Sequence, residues 1–157
     1  MSDDLFWDLE RIPFRQPPAV SEEQLRDWEE QHGVCLPATL ARALTIQNGG
    51  CVRGTDLMIG PLQGFSPLSD PSWEDAHFED EDRDEEELSK IIEIGTTATG
   101  LGVLLDGNGQ DGDARTEPRI LFLWHDLGRE IRDEGDISFD ELIESERRLI
   151  EGEQSGV

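Results

Sequence analysis

The chain has 157 residues, 35% of them apolar, and 13 Lys and Arg against 37 Asp and Glu give it a formal net charge of −24. That length suits one domain, able to bury roughly 70% of the surface its unfolded form exposes. The charge repels phosphate backbones and anionic lipid, which argues against nucleic-acid and membrane partners and for basic proteins or cations.

Leu5, Phe6, Trp7, Leu9 and Ile12 open the chain as a short helix or an extended apolar cover, punctuated by Pro13, Pro17 and Pro18. A helix starts after Ser21, which forms a capping box with Gln24 and has Val20 and Leu25 as its hydrophobic staple. Leu25 and Trp28 share its inner face, and Gly33 stops it. A second helix follows Pro37, whose fixed φ suits a first turn, with Leu40, Ala43 and Leu44 facing a core and Asn48, Gly49 and Gly50 ending it. From Cys51 to Phe65 the pattern is of short strands broken by Gly54, Gly60, Pro61 and Gly64.

Residues from about 70 to 88 read as an exposed acidic excursion with a short helix near Glu85, because like charges resist compaction. The runs IIEIG, GLGVLLD and RILFLWH are the expected central strands, with GTTATGLG as a tight connection between the first two. A closing helix over about 138–151 starts at a second capping box, Ser138 with Glu141, stapled by Ile137 and Leu142. Its stripe is Phe139, Leu142, Ile143, Glu146, Leu149 and Ile150. Helices, then strands, then a helix predict a single α+β domain over 1–157, its mainly antiparallel or mixed central sheet flanked by helices.

The stretch GVCLPATLARALTIQNGG, Gly33 to Gly50, resembles the signature of the SUKH superfamily, which includes a fungal cell-wall-assembly regulator and many bacterial toxin-immunity proteins. Three further matches follow in the family's order: IEIG with the turn into GLGVLLD, the strand RILFLWHD, and SFDELI. The chain departs from that pattern in having no Tyr and in a longer acidic insert around Glu79 to Glu87. The resemblance implies a SUKH-like fold without enzymatic activity, and for bacterial members an immunity protein that binds and neutralises a secreted toxin, often a nuclease. The signature residues also have fold-building roles of their own, since Gly, Pro and Asn are what sharp turns need.

No stretch carries catalytic or metal chemistry. His32, His77 and His125 lie far apart, outside any HExxH, CxxC or phosphate-cradle context. His32, Cys35 and Cys51 fall short of the four ligands of structural zinc, and both thiols sit among apolar residues as core fillers. In DGNGQDGDARTE, Asp106, Asn108, Gln110, Gly112 and Glu117 stand at calcium-loop spacing. Asp111, however, takes the place of the required Gly and Asp113 that of an apolar residue, so a solvated inter-strand turn is expected. No cofactor is expected. Neither a secretory leader nor a membrane span is apparent, and two cysteines suit a reducing compartment, so the expected location is cytoplasmic.

The candidate partner-binding residues are Trp73, Glu74, Asp75, Phe78, Glu79, Asp80, Glu81, Asp82, Asp84, Glu85, Glu86 and Glu87, which combine steering charge with aromatic anchors. Trp7, Trp28 and Trp124 are assigned to the core. The expected function is non-enzymatic: binding of a basic protein, such as a nuclease-type toxin, by a bacterial immunity protein. The alternative is a regulatory or scaffold module of the same fold that binds a cellular protein or small ligand.

Overall fold

The structure, a computed structural model, describes residues 6–8, 17–73, 77–78, 84–108, 118–124, 130–132 and 137–155. Helix α1 runs Glu22–His32. Ser21 Oγ accepts from the Gln24 amide at 3.1 Å and Gln24 Oε1 from the Ser21 amide at 2.9 Å, which satisfies two donors a helix start leaves open. Val20 and Leu25 are both buried, as a staple requires. Gly33 closes the helix at φ 67°, its amide donating to the Glu29 carbonyl, a left-handed conformation that only glycine adopts without steric cost.

Helix α2 spans Ala38–Leu44, with Pro37 one step ahead of its first turn, at the N-cap. Leu40, Ala41, Ala43 and Leu44 are buried. The positive φ values that follow belong to Gly49 and Gly50, at 95° and 141°. Asn48 acts instead as a latch. It is 1% exposed, its Nδ2 donates to the Pro18 carbonyl at 3.1 Å and to Gln63 Oε1 at 2.9 Å, and its Oδ1 accepts from the Leu62 amide at 2.8 Å.

Among the described residues eight strands form one sheet: β1 Gly50–Cys51, β2 Met58–Ile59, β3 Ser66–Pro67, β4 His77–Phe78, β5 Ile91–Thr96, β6 Gly102–Asp106, β7 Arg119–Trp124 and β8 Glu130–Arg132. Their order is β1-β2-β5-β6-β7-β8-β4, and β3 pairs with β5 beside β2. Every pairing is antiparallel except β4 with β8, where Phe78 stands opposite Ile131 in a parallel pair. Helix α3, Glu85–Ser89, leads into β5, and α4, Phe139–Ser155, closes the chain. The fold is a single α+β domain with a mixed, mainly antiparallel open sheet.

Strand alternation divides the core into two layers. Ile92, Ile94, Val103, Leu105, Ile120 and Phe122 face Leu25, Leu40, Leu44, Phe139, Leu142 and Ile143 of the helices. Ile91, Leu104, Leu121, Leu123 and Ile131 face the other way, against Leu68, Trp73 and Leu88. A bulge between Glu93 and Gly95 shifts the β5–β6 register; there the Ile94 carbonyl accepts from the Gly60 amide at 2.8 Å, and a Cβ on Gly95 would collide with the Met58 carbonyl.

The opening segment is an extended cover where it is described. Trp7 bridges Val52 in antiparallel fashion, is fully buried, and donates from Nε1 to the Ala43 carbonyl at 2.8 Å. Leu5, Leu9 and Ile12 lie outside the described residues. In α4 the box between Ser138 and Glu141 forms, but Leu149 departs from the expected stripe, 53% exposed. Arg147, one residue past the buried Glu146, reaches the surface turn at Arg53, donating to its carbonyl at 3.2 Å, and the side chain of Ile150 lies outside the described residues.

Candidate partner-binding site

Within the acidic region Asp70, Asp84, Glu85 and Glu86 are exposed, while Leu68 and Trp73 at its start pack against the sheet. Between β3, beside β5, and β4, beside β8, the chain carries Leu68 and Trp73 onto the second sheet face. It is a strap. Leu68 is buried to 3% exposure, and backbone pairing ties the segment to the sheet at both ends. From Glu74 to Glu87 the strap and the approach to α3 hold ten carboxylates against one base, Arg83.

Helix α3 is fixed at both ends. At its start Asp84 Oδ1 accepts from the Glu87 amide at 2.8 Å, a side-chain N-cap, with Glu85, Glu86 and Glu87 in the first turn where the helix dipole favours negative charge. At its end the Glu87 carbonyl accepts from Asn108 Nδ2 at 3.0 Å, and the Lys90 carbonyl from the Gly107 amide at 2.8 Å. Asn108 is held in turn by Asp106. Asp106 Oδ1 accepts from the Asn108 amide and Nδ2, both at 3.0 Å, and Oδ2 pairs with Arg119 at 2.9 Å. The two described members of the calcium-like spacing therefore anchor α3, while Gln110, Asp111, Gly112, Asp113 and Glu117 lie outside the described residues.

Trp73 ends a 3-10 turn, Pro71–Trp73, and its Nε1 donates to Ser66 Oγ at 2.9 Å, which holds the half-buried ring in one orientation. Between that turn and α3 lies a cleft of about 290 Å³, lined by Leu68, Pro71, Trp73 and Leu88 with Asp70 and Glu85. Of the residues expected to bind a partner, Trp73 and Glu85 meet in this cleft. Asp84 is committed to its cap, Glu86 and Glu87 share the α3 turn, and Phe78 lies in β4 at the far sheet edge. Glu74, Asp75, Glu79, Asp80, Glu81 and Asp82 lie outside the described residues.

Leu68, Asp70 and Leu88 went unremarked in the sequence because nothing local marks a residue that meets another some twenty positions away. Glu93 also went unremarked, although a carboxylate between Ile92 and Ile94 is a local signal; it faces away from them, opposite Ser66 and Leu104. Burial pushes its carboxyl up to about 7. Glu146 is also raised, first by burial and then by the nearby Asp56 charge, and its Oε2 has no hydrogen-bond partner among the described residues.

Elsewhere, a groove of about 500 Å³ between α1 and α2 carries both signs of charge, Glu22 and Glu29 with Arg26 and Arg42. His32 Nδ1 lies 2.9 Å from the Trp28 carbonyl, and the two rings stack at 4.3 Å. Cys35 is half-buried and Cys51 buried. Trp28 and Trp124 pack against the main core as expected, while His125 lies outside the described residues. Among the described residues, no three His, Cys, Asp or Glu side chains gather as metal ligands, and no helix is long and apolar enough to cross a membrane.

No family model, curated protein or solved structure matches the chain.

Proposed function

We propose that this chain is a non-enzymatic protein-binding domain of SUKH type, a bacterial immunity protein acting in the cytoplasm that neutralises a cognate toxin by covering a basic, nucleic-acid-binding face. The observation that carries the reading is the apolar cleft that holds Trp73 with Asp70 and Glu85 at its walls, in a region whose sequence from Glu74 to Glu87 has ten carboxylates against one base. Charge of this density steers a basic protein into encounter, and a desolvated aromatic supplies the short-range anchor that charge alone lacks. Within the Gly33–Gly50 resemblance, Gly33, Gly49 and Gly50 turn the chain and Asn48 latches it, while Ala38 and Arg42 line the groove between α1 and α2, whose charges are of both signs.

Co-expression with the toxin encoded beside it tests the reading. Growth should be restored, and the two proteins should co-elute as a complex. Continued killing with no complex on size exclusion would end it. Exchanging the carboxylates from Glu79 to Glu87 for their amides should slow association by about tenfold or more at low salt and flatten its salt dependence; unchanged kinetics would move the interface elsewhere.

A further inference from the structure

We propose that the cleft between Trp73 and Leu88 is an arginine pocket: it takes one guanidinium side chain of a basic protein partner, its stem on Leu68 and Leu88, its head stacked on Trp73 between Asp70 and Glu85. The inference rests on the reading of the chain as a binder of a basic protein and specifies how that partner is anchored. At about 290 Å³ the cleft stands at the small end of ligand pockets, which run about 300–1,000 Å³, and it suits one long side chain.

Its lining selects which one. Leu68, Pro71 and Leu88 offer apolar wall while Asp70 and Glu85 add carboxylates, the complement of a side chain with an apolar stem and a cationic tip. Between the two basic residues the planar, weakly hydrated guanidinium is favoured over an ammonium, because it stacks flat on indole while keeping in-plane donors for a carboxylate. The indole is pre-oriented by its bond to Ser66, so little further ordering is needed on binding. The Asp106–Asn108 bridge to the Glu87 carbonyl steadies the opposite wall. The surrounding charge excludes phosphate-bearing ligands and concentrates cations at the mouth.

The full chain is titrated at low salt with an acetylated, amidated nonapeptide carrying one central Arg between lysines, and with peptides having citrulline or Lys in its place. Binding is followed by calorimetry and by the Trp73 indole N–H resonance. The Arg peptide should shift that resonance, citrulline should weaken binding about tenfold and Lys about threefold, and Glu85→Gln should weaken the Arg peptide about fivefold while Glu23→Gln, at an exposed position on α1, changes it less than about twofold. Equal losses for Glu85→Gln and Glu23→Gln with a stationary indole would overturn the pocket yet leave charge-steered binding intact. Absence of binding by every peptide would also overturn it. Failure of toxin neutralisation would instead strike the parent reading, so the two can fail separately.

Discussion

The two faces of the sheet are built to different ends. Among the described residues, 23 buried apolar side chains fill the helix-covered layer and six fill the other. The first layer is closed by α1, α2 and α4 and fastened by buried polar contacts, Trp7 to Ala43 and Asn48 to Leu62. The second is closed by a strap and a five-residue helix, and it keeps Trp73 and Leu88 only half-buried. A thick layer stabilises a fold, whereas a thin one with a fixed aromatic and a rim of charge remains open to a partner.

Substitutions should separate the faces by magnitude. Gly95→Ala should be the most damaging, because a methyl there meets the Met58 carbonyl at the β2–β5 contact and neither backbone can yield without breaking the bulge. A loss of about 3 kcal/mol is expected, a large part of the roughly 5–15 kcal/mol that holds a domain together. Chemical denaturation checks it: a midpoint within error of the parent would mean that the bulge is not rigid. Asn48→Ala follows at about 2–3 kcal/mol, since it strands the buried Leu62 amide and frees Pro18. If Asn48→Asp costs as little as about 0.5 kcal/mol, the bonds from Nδ2 contribute little and the latch is the Oδ1 contact alone.

How much of this was legible in the sequence follows the same division. The helices of the thick layer announced themselves through local chemistry: Ser21 with Gln24, Ser138 with Glu141, Gly33 at a C-terminus. The strands β5, β6 and β7 were marked by dense β-branched and aliphatic runs. The thin layer had no such marks. Strands β3 and β4 hold two residues each, too few to show a period, and their pairing depends on partners 25 to 53 positions away, as Ser66 with Glu93, at a difference of 27, and His77 with Glu130, at 53, illustrate. What the sequence left unmarked was the packing of Leu68 and Trp73 against the sheet at the start of the acidic run, whose carboxylates Asp70, Asp84, Glu85 and Glu86 are exposed. Leu149 was misplaced for a different reason: helical periodicity assigns a residue to a face but not the neighbours it meets there.

A smaller effect tests whether the second face tolerates charge within it. The Glu93 carboxyl is raised to about 7 from an ordinary 4.5, so the folded chain holds more protons than the unfolded one between those values. Stability must then fall as pH rises through that window, and Glu146, raised in the same direction, adds to the slope. Glu93→Gln should remove its part: little change at about pH 5, and a gain of about 1–2 kcal/mol at about pH 8 after allowance for its partial exposure, or a Tm higher by about 3 °C. General relief of negative charge on acidification acts on parent and variant alike, so the difference between their pH profiles isolates Glu93. Parallel profiles would show that solvent reaches the carboxylate freely and that the second face is wetter than its geometry implies.

The smallest effects distinguish carboxylates that fold the acidic region from those that do not. Asp84 caps α3 through the Glu87 amide, and Asp84→Ala should cost about 1 kcal/mol, most of it local. Glu86 is exposed on the same turn, so Glu86→Gln should alter stability by less than about 0.5 kcal/mol in either direction, as lost dipole interaction and relieved repulsion from its neighbours oppose each other. Hydrogen exchange at the Glu87, Leu88 and Lys90 amides reads both: faster in Asp84→Ala, unchanged in Glu86→Gln. Equal acceleration in the two would mean that the acidic run is held by its charges collectively. The carboxylates would then be part of the fold, and a partner that neutralised them would loosen the very helix that walls its pocket. Separation of the two leaves the fold resting on the cap, and the remaining charge available to meet a partner without structural penalty.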